Sequence, residues 1–199
     1  MARDFRHGVP GQLTRRQMEI LISQLRECYG RVVYAHKAHE KCCDIFLCRL
    51  NRLKVWQIVL SAATTGTLLG ALLEHGKIAS IVAAGISAVL LAINAYMKNY
   101  DLGSLAQKHA DTATSLWDIR ECYLSLLTDA QANAISEGEV GKRRDKLQAR
   151  LAAIYKGAPR TIGKAYTSAQ KALQVNEDLT FSDEEIDKFL PAPLRKGKS

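Results

Sequence analysis

The chain has 199 residues and a net charge of +8, and its 47% hydrophobic and 24% charged residues would suit a soluble globule on average. That average hides a stretch from Val55 to Tyr96 in which only Glu74 and Lys77 are charged, which argues against a wholly soluble domain. The 13 glycines and 4 prolines are too few for a collagen-like or disordered chain.

The positive charge is concentrated before the apolar stretch. The segment ahead of Val55 has 11 Lys or Arg against 5 Asp or Glu, which is +6, whereas the part from Met97 onward has 16 against 14, which is +2. This placement favours a membrane surface over a nucleic-acid groove, which would combine a basic stripe with stacking aromatic rings. No direct nucleic-acid binding is expected.

The N-terminal part predicts one long helix in a reducing compartment. Thr14 and Gln17 fit a capping box, and apolar residues then recur at helical spacing from Met18 onward, so the helix is expected to begin near Thr14 and to run into the apolar stretch. The five cysteines are an odd number and three of them are crowded between Cys42 and Cys48, which is typical of reduced cytosolic thiols. The first residues lack the apolar core of a secretory signal.

Two apolar runs, Val55 to Leu73 and Ile78 to Tyr96, predict a transmembrane hairpin. Each is close to the roughly 20 residues that a helix needs to cross the hydrocarbon core, and Gly76 lies in the short loop between them. A buried hairpin of a soluble protein is the alternative, but it would normally keep a polar face. No ionisable residue lies deep in either run, which argues against a proton relay or an ion-coupled transporter.

The flanks of the two runs predict the orientation. Basic residues lie on the outer sides of both runs, whereas the loop between them offers Lys77, so both termini are expected in the cytoplasm of a multi-pass inner-membrane protein. Five residues are the predicted anchors at the membrane interface: Arg52, Lys54, Trp56, Tyr96 and Lys98.

Small residues recur along both predicted spans and mark a helix-packing or oligomer face. Gly66 and Gly70 form a GxxxG pattern in the first span, and the second span has a stripe of small residues at i, i+4 spacing, Ser80, Ala84, Ala88 and Ala92. The hairpin packing on itself is one explanation, and a neighbouring copy of the chain is the other. The hydroxyl groups in the spans either line a pore or bond the carbonyl four residues earlier.

Further helices are predicted after the hairpin. Asp101 to Gly103 interrupts the second helix, and a seven-residue repeat from Leu105 to Ala130 suits an antiparallel coiled-coil-like partner, the helix before the membrane. Three shorter helices follow: an amphipathic one through Val140 to Ile154, one over Thr161 to Gln174, and one from the capping box Ser182–Glu185 to Leu190. The prediction is an all-α membrane protein divided into a cytoplasmic helix (1–54), a transmembrane hairpin (55–96), a cytoplasmic helical region (97–190) and a basic tail (191–199).

Residues that suggest enzymatic or metal chemistry have simpler explanations. His36, His39 and Cys43 share a helix face and could bind zinc, but a tetrahedral site normally needs a second segment, so packing is the preferred interpretation. Gly138 to Arg143 lacks the spacing of a phosphate-binding loop. His109, Asp118 and Glu121 resemble acid–base groups on a charged helix face without a pocket. No enzyme activity, metal or cofactor is expected.

The chain resembles the SLATT proteins, two-transmembrane effector domains of bacterial nucleotide-signalling and other antiphage conflict systems. Four segments carry the resemblance: Leu60 to Gly66, Leu90 to Gly103, Ala106 to Ala113 and Leu116 to Asp129. The C-terminal Leu179 to Pro191 looks like the tail of a subgroup found beside reverse transcriptases.

The resemblance implies a membrane effector that stays inactive until a sensor or a reverse-transcriptase partner detects infection. It then assembles into a homo-oligomer and forms a pore or disrupts the lipid bilayer. For Gly66, Gly70, Ala84 and Ala88 it implies contacts rather than chemistry. A membrane-anchored helical scaffold that tethers a partner enzyme or nucleoprotein is the alternative function.

Overall fold

The computed structural model describes residues 10–74 and 76–196 and, within them, it is all-helical with no strand. Helix α1 spans Pro10–Glu74 and is followed by α2 (Lys77–Asn99), α3 (Leu102–Gln131), α4 (Glu137–Gly157), α5 (Gly163–Gln174) and α6 (Asp183–Phe189). A short 3₁₀ turn, Ala192–Leu194, ends the described chain. The all-α fold predicted from the sequence is confirmed.

Helix α1 has 65 residues, which corresponds to a length of about 98 Å, and it runs from the N-terminal part into the first predicted span without a break. The predicted helix start at Thr14 is wrong, because α1 begins at Pro10. Proline suits the first turn of a helix, where its fixed φ angle is already helical and its missing N–H group would have no acceptor.

Helices α1 and α2 form the predicted hairpin around the loop at Gly76. Within the described residues, one helical stretch is long and apolar enough to cross a membrane. It begins at Lys77, the first residue of α2. Its most apolar window has a mean hydropathy of 2.2 and is 6% buried, so these apolar side chains face outward rather than into a core. The first predicted span ends in residues 71–73, whose side chains lie outside the described part.

The predicted interruption after the second span is confirmed. Helix α2 ends at Asn99, Tyr100 leaves the helical conformation, and the Asp101 carboxylate accepts the Ser104 N–H at 2.9 Å to start α3. Helix α3 then packs antiparallel along α1, and the seven-residue repeat supplies most of the buried side chains of α3: His109, Thr112, Leu116, Ile119, Tyr123, Leu126 and Ala130.

Two apolar clusters hold together the helices outside the hairpin. The larger one lies far from the hairpin, where Leu25 and Val32 of α1 meet Leu116 and Tyr123 of α3. The smaller one lies near the hairpin and joins Cys42, Phe46, Leu102, Ala106 and Ala165. Helix α4 covers the first cluster with Val140 and Leu147, as its predicted amphipathic pattern requires.

Helix α5 lies on α1 through an alanine face. Ala165, Ala169 and Ala172 are all buried, and their small side chains allow the two helix backbones to approach closely. Helix α6 begins with the predicted capping box, in which Ser182 and Glu185 bond each other's backbone N–H groups, and it buries none of its residues.

Candidate functional site

The two hairpin helices meet along a seam that does not include the predicted stripe of small residues. Seam residues are those whose side chains are at least partly buried between α1 and α2. They are Leu53, Gln57, Leu60, Thr64 and Thr67 of α1, and Ala79, Ala83, Ile86, Leu90, Ile93 and Met97 of α2. The pattern recurs every three or four residues, as expected for one face of each helix.

The small residues of α2 lie on the opposite side of that helix. Ser80, Ala84, Ala88 and Ala92 are all exposed, whereas Ala83 in the seam is 1% exposed. Four small residues joined by three consecutive i, i+4 steps therefore form an outward-facing stripe along α2. We call these four residues the small face of α2.

The two glycines of α1 also have open space beside them. A Cβ atom built at Gly66 or Gly70 meets no atom within 4 Å, so neither glycine is needed for packing inside this chain. Gly66 is exposed and Gly70 is half-buried. The GxxxG pattern is thus free to accept a close contact from outside the hairpin.

Several hydroxyl groups of the spans are bonded to the backbone of their own helix. Thr64 donates to the Leu60 carbonyl at 2.8 Å and Thr65 to the Ser61 carbonyl at 3.1 Å. Thr67 and Ser80 donate in the same way to Ala63 and Gly76. The prediction that such hydroxyls satisfy carbonyls four residues earlier is confirmed for these four.

One polar contact crosses the hairpin. The Gln57 amide N–H donates to the side-chain oxygen of Asn94, and both residues lie inside the predicted spans, near the ends opposite the Gly76 loop. This pairing was not predicted from the sequence. The sequence does contain a signal for this pairing. Gln57 is two positions after Val55, where the first span begins, and Asn94 is two positions before Tyr96, where the second span ends, so a hairpin places the two amides at the same depth.

The residues predicted as interface anchors lie together at the end of the hairpin that is opposite the Gly76 loop and adjoins α3. Trp56 is 53% exposed, and Tyr96 is 37% exposed and stacks on Tyr100 with ring centroids 4.8 Å apart. The three basic anchors are exposed as well: Arg52, Lys54 and Lys98. Amphipathic rings and cations exposed at one level of a helix pair suit the boundary between hydrocarbon and head groups.

A histidine pair joins α1 and α3 outside the predicted spans, beyond the level of these anchors. His39 Nδ1 and His109 Nδ1 are 3.0 Å apart, and Phe46 stacks on the His109 ring at 5.5 Å. Burial lowers the pKa of His109, and burial together with the neighbouring His109 and His36 lowers the pKa of His39 to about 4. Both rings are therefore neutral at pH 7, with one Nδ1 donating and the other accepting.

The residues of the sequence motif that suggested zinc pack against other helices and do not converge on a common point. His36 and Cys42 are buried and Cys43 is half-buried. In the part of the chain that the structure describes, no three His, Cys, Asp or Glu side chains converge as metal ligands would. Burial raises the pKa of the Cys42 thiol and outweighs the opposing effect of the Ile162 backbone N–H, which donates to its sulfur, so the thiol stays protonated.

A buried lysine fixes the C-terminal segment to α1. Lys37 Nζ lies 3.1 Å from a Glu40 oxygen and 3.0 Å from an Asp178 oxygen. Burial lowers the pKa of Lys37, but the hydrogen bonds to Asp178 and Glu40 outweigh that effect, and the net pKa is raised. Asp178 lies between two residues with left-handed backbone, Glu177 (φ 55°) and Leu179 (φ 72°), and this strained turn presents its carboxylate to Lys37.

Comparison with known proteins places the chain in a family. The family model described as "SMODS and SLOG-associating 2TM effector domain family 4" (SLATT_4) matches residues 21–185, which run from Leu21 of α1 through the hairpin and α3 to α5 to the start of α6. No curated protein and no solved structure shows significant similarity to the chain. The chain belongs to the SLATT family of two-transmembrane effector domains, and it is a membrane effector of the kind found in conflict systems.

Proposed function

We propose that this effector assembles in the bacterial inner membrane through the outward side of its hairpin and, once assembled, permeabilises the membrane. The observation that carries the proposal is the separation of two faces. The seam uses one face of each span, whereas Gly66 and the small face of α2 are exposed and the half-buried Gly70 has open space beside it. In lipid, uncovered small residues let helices approach closely, and close packing is the main attraction available there.

The energetics favour a regulated assembly over a permanent pore in one chain. No charged group lies in the described part of α2 between Lys77 and Lys98, and four hydroxyls of the spans are already bonded to their own backbone. One hairpin alone therefore offers ions no hydrated path. Several copies, packed through their small faces, would enclose a lumen lined by small and hydroxyl side chains that opens by wetting.

Both termini are placed in the cytoplasm in this proposal. The anchors Arg52, Lys54 and Lys98 lie on the same end of the hairpin as the long cytoplasmic helices. This end also holds the exposed ring of Trp56. A sensor or a reverse-transcriptase partner would then act on the cytoplasmic helices, and co-purification of a neighbouring gene product with the tagged chain tests that part.

The first test measures membrane depolarisation in bacteria that express the chain. Gly66→Leu together with Gly70→Leu should abolish depolarisation, because the added side chains fill the space that a neighbouring helix needs. A Cβ at either glycine meets no atom of its own chain, so the fold of the single hairpin should be preserved. Ala84→Leu should act in the same way from the small face of α2.

A matched control is Val89→Leu. Val89 is 52% exposed on α2 but lies off the small face, so its enlargement should leave depolarisation unchanged. Membrane insertion of each variant is checked by fractionation. Depolarisation that persists both in the Gly66→Leu/Gly70→Leu variant and in Ala84→Leu would contradict assembly through this side of the hairpin. Depolarisation in none of the chains, the unsubstituted one included, despite correct insertion and supply of the partner would instead favour the scaffold function.

A further inference from the structure

A groove lined by aromatic side chains lies where α4 and α5 meet α1, and we call it the tyrosine groove. It has a volume of about 670 Å³, and its walls are Tyr34 of α1, Tyr155 of α4 and Tyr166 of α5. Small residues of α1 line it as well: Gly30, Ala35 and Ala38. Small-molecule sites typically have volumes of roughly 300–1,000 Å³ and mostly apolar walls. The groove therefore has the size and the lining of a ligand site.

The tyrosine rings give the groove flat walls. Tyr34 and Tyr166 stack with their centroids 6.0 Å apart and their planes at 28°. Tyr155 is 46% exposed and Tyr166 is 55% exposed, so ring surface remains that no other part of the chain covers. Aromatic rings attract other aromatic rings in offset-stacked and edge-to-face arrangements beyond the effect of buried area alone. Walls of this kind favour a planar aromatic ligand over an aliphatic one.

The charged residues that line the groove balance each other. They are Glu27 and Arg31, whose side chains lie 3.6 Å apart on α1 and are both exposed. The lining therefore has no net charge to offer a phosphate or a carboxylate group. A neutral ligand is favoured, because it would not have to compete with Glu27 for the guanidinium of Arg31.

One buried polar side chain reaches the tyrosine groove. His39 is among the lining residues although it is 3% exposed. Its Nδ1 lies 3.0 Å from the Nδ1 of His109, whereas its Nε2 has no hydrogen-bond partner in the described part of the chain. Buried polar groups are nearly always hydrogen-bonded, and one that is not requires an explanation. A ligand that bonds Nε2 supplies the missing partner.

The contact between the two imidazoles determines what His39 offers a ligand. His109 Nε2 is buried and unpartnered. As among backbone groups, a buried N–H without an acceptor is rarer than an acceptor without a donor, so the proton of His109 is assigned to Nδ1 and is donated to His39. His39 Nδ1 then accepts, and the proton of the neutral His39 ring lies on Nε2. His39 thus presents an N–H donor to the groove.

We propose that the tyrosine groove binds a neutral, planar heteroaromatic molecule with a hydrogen-bond acceptor, a ring nitrogen or a carbonyl oxygen, on its edge. The acceptor would bond the His39 Nε2–H, and the ring would lie against Tyr155 and Tyr166. Bound in this way, the ligand would hold α4 and α5 to α1 at the level of the His39–His109 contact. Binding needs a single copy of the chain, so this inference is independent of the proposed assembly in the membrane.

The test uses the full-length chain in detergent, labelled with 3-fluorotyrosine, and caffeine as the probe. Caffeine is neutral, planar and water-soluble, and it has carbonyl and ring-nitrogen acceptors but no donor. The fluorine resonances of Tyr155 and Tyr166, assigned with Tyr155→Phe and Tyr166→Phe, should move during a caffeine titration and give its Kd. The resonances of Tyr96 and Tyr100, which stack on each other at the end of the hairpin, should not move.

Two pairs of variants test the occupied space and the donor. Gly30→Leu should raise the Kd for caffeine about tenfold, because a Cβ atom at Gly30 meets no atom within 4 Å and a longer side chain extends into the groove. Gly141→Leu is the matched control, since this glycine of α4 has the same open space but does not line the groove. His39→Leu removes the donor and should raise the Kd about fivefold, whereas His39→Gln keeps an N–H donor and should raise it little.

Three results would overturn the proposal. The first is that caffeine leaves the Tyr155 and Tyr166 resonances unmoved or moves those of Tyr96 and Tyr100 equally. The second is an equal Kd for Gly30→Leu and Gly141→Leu, or for His39→Leu and His39→Gln. The third is that Phe189→Ser moves the Tyr155 and Tyr166 resonances without any probe, because the chain's own α6 would then occupy the groove.

Discussion

Lys37 and Asp178 are joined by an ion pair of 3.0 Å although they are 141 positions apart in the chain. The pair connects the middle of α1 to the strained turn that follows α5. Lys37 is 9% exposed, so its charge has lost most of its water and depends on Asp178 and Glu40. This contact attaches the segment that follows α5 to α1.

We expect Asp178→Ala to release the α5–α6 linker. The buried lysine keeps Glu40 but loses its second carboxylate, which should cost about 1–3 kcal/mol. Hydrogen exchange should rise in residues 175–182 and stay unchanged in α3. Lys41→Met is the control, because it removes an ion pair that is longer (3.8 Å, to Asp44) and more exposed. Equal protection of the linker in Asp178→Ala and in the unsubstituted chain would contradict the role of the pair.

The His39–His109 contact predicts a loss of stability in acid. The pKa of His39 is lowered to about 4 in the folded chain, so the unfolded chain binds more protons below pH 6.5. The stabilisation is complete above pH 6.5 and is lost as the pH falls toward 4. Between pH 6.5 and pH 5 His39 alone should reduce the free energy of unfolding by about 2 kcal/mol.

This prediction is checked by thermal unfolding of the purified chain in detergent at several pH values. His39→Gln should flatten the pH dependence, since glutamine does not titrate and can still bond His109. Unchanged steepness in His39→Gln would mean that other groups, such as the neighbouring His36 with its Glu40 partner, are responsible.

Local patterns predicted much of this architecture, because one segment is enough to encode them. The interruption at Asp101 was predictable from an N-capping residue and a glycine, and the buried side of α3 from a seven-residue repeat. The start of α1 could not be predicted from the sequence, since Pro10 and Thr14 both suit a helix N-terminus and only the structure decides between them. The pairing of His39 with His109 depends on the register of α1 against α3, which the periodicity of each helix leaves open.

The candidate site shows the same limit. The sequence indicated small residues on both spans, but not which of them face the seam. Ala83 and Ala84 are neighbours of the same type, and only the rotation of α2 makes one buried and the other exposed. A groove lined by Tyr34, Tyr155 and Tyr166 was not predicted, because these tyrosines come from three helices far apart in sequence.

The Gln57–Asn94 hydrogen bond should stabilise the hairpin. In lipid, Gln57→Leu leaves the Asn94 amide without its partner, and we expect a loss of about 1 kcal/mol. Gln57→Leu with Asn94→Leu removes both polar groups and should recover most of that loss. Unfolding by sodium dodecyl sulfate of the two single variants and the double variant gives the coupling energy. Strictly additive effects would show that the two amides do not interact.

Asp101 should set the point at which the second membrane helix ends. Its carboxylate accepts the Ser104 N–H at 2.9 Å, which starts α3 and breaks the chain just after Tyr100. Asp101→Ala should cost about 1 kcal/mol, because an N-terminal N–H group loses its acceptor, whereas Asp101→Ser keeps an acceptor and should cost little. Comparing the two variants separates the effect of the capping hydrogen bond from that of the negative charge. Both variants remove the carboxylate, but Asp101→Ser alone keeps a side-chain acceptor. If thermal unfolding lowers the midpoint equally for both, the negative charge near Lys98 matters rather than the cap, and the break between α2 and α3 has a different cause.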